Sequence, residues 1–102
     1  MLCNISISTI NNNLSTFYKT NYIINLFYPF LDRLMQFDTD TDYLHDEFTV
    51  RISKDELKSI STSDLKKSDL EFIEELNKLF KNNQIIEIDG RFQRFINVGE
   101  LN

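Results

Sequence analysis

LSTFYKTNYIINLFYPFLDRLMQF, residues 14–37, is the stretch on which the fold turns. Its apolar residues Leu14, Phe17, Tyr18, Tyr22, Ile24, Phe27, Tyr28, Leu31, Leu34 and Met35 recur at helical spacing, which predicts helix across the segment. Pro29 does not fit a helix interior, because it lacks a donor N–H and pushes Tyr28 toward extended geometry. The expectation is therefore two helices, or one kinked helix, with Pro29 opening the second. Apolar coverage this wide calls for burial on several sides or against a partner, which includes a second copy of the chain.

Working outward, Cys3, Ile5 and Ile7 alternate with Asn4 and Ser6, a period of two that predicts a short strand from Leu2 to Ile10. Asn11-Asn12-Asn13 interrupts it and is suited to capping the helix expected next. Downstream, DTDTDYLHDE at 38–47 predicts a polar loop dense in carboxylates. Phe48, Val50 and Ile52 alternate with Thr49 and Arg51 as a second strand. Ser53-Lys54-Asp55-Glu56 then forms a capping box, in which Ser and Glu satisfy backbone donors reciprocally, and predicts a helix to Ile60. A second such box, Ser68-Asp69-Leu70-Glu71, predicts the clearest helix of the chain, through Phe80 and stopped by Asn82-Asn83. Gln84–Ile88 and Arg91–Val98 read as a hairpin turning at Asp89-Gly90, with Glu87 opposite Arg91. The sum is an α+β single domain over 1–102, with aromatic-rich N-terminal helices and a C-terminal helix plus β-hairpin.

At 102 residues with 41% apolar and 13% aromatic content, the chain can build one core. It has no Ala, two Gly and one Pro among many Asn, Ile, Lys and Asp, the bias of an AT-rich gene such as those of mobile elements, phages and low-GC bacteria. One cysteine, Cys3, excludes a disulfide framework and any multi-Cys metal site, which favours the cytoplasm. The longest apolar run, Tyr22–Leu31, is broken by Asn25 and Pro29 and falls short of the roughly 20 residues a span requires. No basic stretch precedes an apolar one at the N-terminus, so no signal peptide is expected.

Charge is laid out unevenly. Residues 1–31 carry only Lys19; residues 32–75 carry 13 acids against 6 bases; residues 76–102 carry 3 acids against 4 bases. The net charge of −5 therefore comes from the middle of the chain.

The order strand, capped helix, short turn, longer helix, hairpin over 48–98 resembles a winged helix-turn-helix. The resemblance rests on Phe48–Ile52, Ser53–Leu57, Leu70–Phe80 and the Ile85-Ile86…Asp89-Gly90-Arg91-Phe92 wing. It implies a second motif helix in the major groove and a wing on the DNA backbone, with Lys66, Lys67, Arg91 and Arg94 as the nucleic-acid-binding residues of a dimeric transcriptional regulator. Against this, the expected recognition helix carries Asp64, Asp69, Glu71, Glu74 and Glu75, which phosphate repels.

Catalytic and metal-binding patterns are sparse. Asp38, Asp40 and Asp42 open like an EF-hand loop, but Tyr43 stands where Gly is needed and Thr49 where a bidentate Glu closes the site. His45 beside Asp42, Asp46 and Glu47 is the lone imidazole. No phosphate loop, nucleophile elbow or zinc spacing occurs, so neither an enzyme nor a bound cofactor or metal is expected. The leading expectation is instead a protein-binding inhibitor. Asp38, Asp40, Asp42, Asp46 and Glu47, with Tyr43, would dock on a basic, nucleic-acid-binding partner. In size and acidity the chain is similar to small phage inhibitors of CRISPR nucleases.

Overall fold

A computed structural model describes residues 1–11, 14–81 and 84–93. Two hairpins and one late strand build a five-stranded antiparallel sheet. β1 (Leu2–Asn11) pairs with β2 (Leu14–Asn25), and β3 (Asp38–Asp42) pairs with β4 (Glu47–Ser53). β5 (Gln84–Phe92) lies between β1 and β4, antiparallel to both, giving the order β2-β1-β5-β4-β3. Among the described residues three helices cover one face: α1 (Phe30–Leu34), α2 (Lys54–Ser59) and α3 (Lys67–Leu79).

Alternation along each strand decides which face is covered. Cys3, Ile5, Ile7 and Thr9 of β1, Phe48, Val50 and Ile52 of β4, and Ile86, Ile88 and Gly90 of β5 are all buried. They meet Phe30 and Leu34 of α1, Leu57 of α2, and Phe72, Ile73 and Leu76 of α3 in a single core. Phe72 receives the rings of Tyr22 and Phe30 edge-on, at 6.3 and 6.2 Å between centroids, a favoured aromatic geometry. Arg33 ties α1 to the loop after α2. Its guanidinium donates to both carboxylate oxygens of Asp64 at 2.8 and 3.0 Å and to the Ser61 carbonyl at 2.7 Å.

Several elements follow the sequence reading. β1 lies where the alternation places it, with free Cys3 buried in it. The short α1 opens directly after Pro29. The Ser53–Glu56 box caps α2 reciprocally, at 3.2 and 3.0 Å.

The helix-rich fold expected from 14–37 is overturned. Residues 14–25 form β2, and only five residues of the segment, 30–34, are α-helical. Thr, Tyr, Phe and Ile dominate that stretch, and β-branched and aromatic residues suit a pleated surface beside a neighbouring strand. β1 supplies that neighbour, with Asn11 opposite Leu14 and Cys3 opposite Ile24. The helical spacing of the apolar residues was incidental.

The carboxylate-rich loop is also a correction, because 38–42 is the edge strand β3. Thr39 and Thr41 face Val50 and Phe48 while the aspartates point the other way. The expected turn of the wing does not form: Asp89 and Gly90 lie inside continuous β5, and positions 94–98 of the expected second strand lie outside the described residues. The Phe48 ring occupies the space where a side chain at position 90 would stand; glycine is there for close packing, not for a turn. Glu87 consequently faces Arg51, not Arg91. The second capping box shifts as well. α3 starts at Lys67, and Asp69 is buried in its first turn. With Asp89 and Gly90 inside a continuous strand, the expected helix-rich, winged-helix-like fold gives way to a five-stranded antiparallel sheet with three short helices among the described residues.

Candidate functional site

Among the described residues no element covers the face of the sheet opposite the helices, and cross-strand register sets its side chains in rows. Asp42, Glu47, Arg91, Asn4 and Ile23 make one row; Asp40, Thr49, Asp89, Ser6 and Asn21 the next; Asp38, Arg51, Glu87 and Ser8 a third. Neighbours stand about 4.8 Å apart across strands and about 6.8 Å along them. A groove of about 680 Å³ crosses this face, with Asn4, Ser6, Thr49, Asp89 and Arg91 among its lining.

Among the described residues, six carboxylates (Asp38, Asp40, Asp42, Glu47, Glu87, Asp89) share the face with two guanidiniums (Arg51, Arg91). That leaves −4 of the chain's net −5 on one surface. Arg51 moderates the repulsion. Its Nε donates to Glu87 at 3.0 Å, and its Nη1 lies 3.4 Å from Asp40 and 3.8 Å from Asp38. Those partners, Glu87 first, hold its pKa above the ordinary value. Thr49 donates to Asp89 at 2.6 Å, whereas Arg91 approaches Glu47 only to 3.9 Å.

The β3–β4 turn is held by Asp42, whose Oδ1 accepts from the backbone N–H groups of Leu44 and His45 at 3.1 and 3.3 Å, the pattern of an Asx turn. Its Oδ2 meets the His45 ring at 2.8 Å. The hydrogen bond lowers the Asp42 pKa and raises that of His45. Asp46 closes the turn at φ 54°. Tyr43 and Leu44 project from it, 85% and 83% exposed.

The structure thus gathers Asp38, Asp40, Asp42 and Glu47 on one face, with Asp46 and Tyr43 at its rim. Sequence reasoning missed Arg51, Glu87, Asp89 and Thr49. The signal was present: Ile86 and Ile88 alternate with Glu87 and Asp89, and the alternation continues through Gly90 to Arg91 and Phe92 once no turn is imposed.

The nucleic-acid residues do not come together. Lys66 lies over the Phe27 ring at 4.2 Å and Lys67 is 4.0 Å from Glu71, both at the start of α3 on the helix layer. Arg91 is on the opposite face of the sheet, and Arg94 lies outside the described residues. Asp38, Asp40 and Asp42 are strung along one strand and do not converge. Among the described residues no group of three or more His, Cys, Asp or Glu is placed to hold a metal ion. No helix among them is long and apolar enough to cross a membrane.

No protein-family model, curated protein or solved structure matches the chain.

Proposed function

We propose that the protein is a non-enzymatic binding protein, an inhibitor of the kind carried by phages and mobile elements. In this reading it docks its acidic sheet face on a basic, nucleic-acid-binding protein such as a CRISPR nuclease. The observation that supports this is the sheet face itself, six carboxylates against two guanidiniums among the described residues, with Glu47, Asp89 and Arg91 of these lining its groove. Strand pairing fixes the spacing of the backbone positions that carry these charges, so the carboxylates are presented in regular rows. A basic groove built for phosphates is attracted to such a face, and association is fast and salt-dependent.

The test is DNA cleavage by a panel of purified, guide-loaded CRISPR nucleases with and without the protein. Its companion is the variant Asp38→Lys, Asp40→Lys, Asp89→Lys, which leaves the turn-capping Asp42 intact. Inhibition by the wild type, lost in the variant and weakened by salt, supports the proposal. Inhibition that the variant retains in full would remove the acidic face from the mechanism, and a panel untouched by the wild type would remove the nuclease. Salt-sensitive binding of the protein alone to a labelled random duplex, read by anisotropy, would count against a protein partner.

A further inference from the structure

The two edges of the sheet are guarded unequally. A terminal strand presents unpaired N–H and C=O groups along its free side, and proteins commonly blunt such edges with charge, brevity, proline or bulges. β3 is five residues long and carries three aspartates. β2, which has no strand on its outer side among the described residues, is twelve residues long, and its stretch 20–25, TNYIIN, has no charge and no proline. The irregularity in its pairing lies elsewhere, between the Ile7–Thr20 and Thr9–Thr16 pairs. From Asn21 to Asn25 the register with β1 is regular, and Ile23 is 71% exposed.

Beside this edge lies a second groove, of about 350 Å³, between Tyr22, Ile23 and Ile24 and the flank of α3 that carries Glu71, Glu74 and Glu75. Glu71 has only a 4.0 Å approach from Lys67, and Glu75 a 3.2 Å pair with Lys78 at the surface. Glu74 has no ion-pair partner among the described residues. Glu71 and Glu75 are one helical turn apart, about 6 Å along the axis. Alternate side chains of an added strand would be about 6.8 Å apart, a matching interval.

We infer that the free edge of β2, over Thr20–Asn25, takes up an extended basic segment of a partner protein as a sixth strand. Its backbone pairs with β2, and alternate Lys or Arg side chains reach Glu71, Glu74 and Glu75. Strand addition supplies affinity through main-chain hydrogen bonds and specificity through alternate side chains. A second copy of the chain is the poorer occupant, because a two-fold pairing of β2 with itself brings two such glutamate rows to one seam. The inference does not use the carboxylates of the sheet face, because Glu71, Glu74 and Glu75 lie on α3, on the helix side.

The probe is a fluorescent decapeptide of alternating Lys and Val, titrated into the intact protein and read by anisotropy. A second version is N-methylated at alternate residues along one edge. The inference expects binding of the first peptide, weakened about tenfold or more by Glu71→Gln, Glu74→Gln, Glu75→Gln and by N-methylation. A sheet-face variant with the same change in net charge, Asp38→Asn, Asp40→Asn, Asp89→Asn, should bind as the wild type does. No binding, equal binding of the methylated peptide, or equal loss in the two triple variants would each overturn it. So would a concentration-dependent dimer in sedimentation equilibrium that Ile23→Lys dissolves, which assigns the edge to a second copy.

Discussion

Gly90 shows how a single residue can mislead a reading and still be indispensable. Asp-Gly is a strong turn signal, yet here the glycine leaves room for the Phe48 ring across the β4–β5 pair. Gly90→Ala should cost about 1–3 kcal/mol as an overpacked core does, measured by urea unfolding. Adding Phe48→Leu should recover part of the loss, and additive losses would show that the ring is not the cause. Asp69 is the other informative residue. It is fully buried, its Oδ1 accepts from the Phe27 N–H at 3.5 Å, and its Oδ2 has no partner among the described residues. Burial pushes its carboxyl pKa up. The folded state therefore holds the proton more tightly than the unfolded one, and stability falls as pH rises from the ordinary carboxyl range through the raised value. Asp69→Asn should gain in melting temperature relative to wild type at neutral pH, with the gain shrinking as pH falls; a pH-independent difference would contradict this. His45 shifts up for the opposite reason, a partner that favours its charge. The contribution of that pair is full below about 6.5 and is lost as pH rises through the raised value. An NMR titration should place His45 above its ordinary value and return it there in Asp42→Asn.

At the scale of elements, legibility followed locality. β1, β4, the capping box of α2, the body of α3 and the opening of α1 at Pro29 depend on residues close in sequence, and the sequence shows them. β2 and β5 depend on partners far away. The apolar residues of 14–25 fit a helical wheel about as well as a strand, and only the pairing with β1 decides between them. β3 was hidden because aspartates on a solvent-facing edge look like loop residues, while the strand preference of Thr39 and Thr41 was outweighed. The same locality accounts for the candidate site: its β3 and turn residues were visible as a run of acids, whereas Glu87 and Asp89 join it only through β5. Ser53→Ala breaks the α2 capping box and should cost about 1 kcal/mol in urea unfolding. No loss would mean that the α2 start is held by packing alone.

For the whole molecule, the decisive feature is the separation of faces. One side of the sheet is a helix-covered core; the other carries most of the net charge. Arg51 sits among three of the six carboxylates, so Arg51→Gln should lower the melting temperature more at low salt than at high salt, where screening replaces it. An effect equal at both salt concentrations would mean that Arg51 acts through packing of its stem.

The central place of β5 also matters during synthesis. Both hairpins precede it in the chain, and among the described strands nothing else joins them. A chain that has emerged only as far as Lys81 therefore carries both hairpins and all three described helices but lacks the strand with which each hairpin pairs. The sheet closes only once β5, which ends at Phe92, has left the exit tunnel.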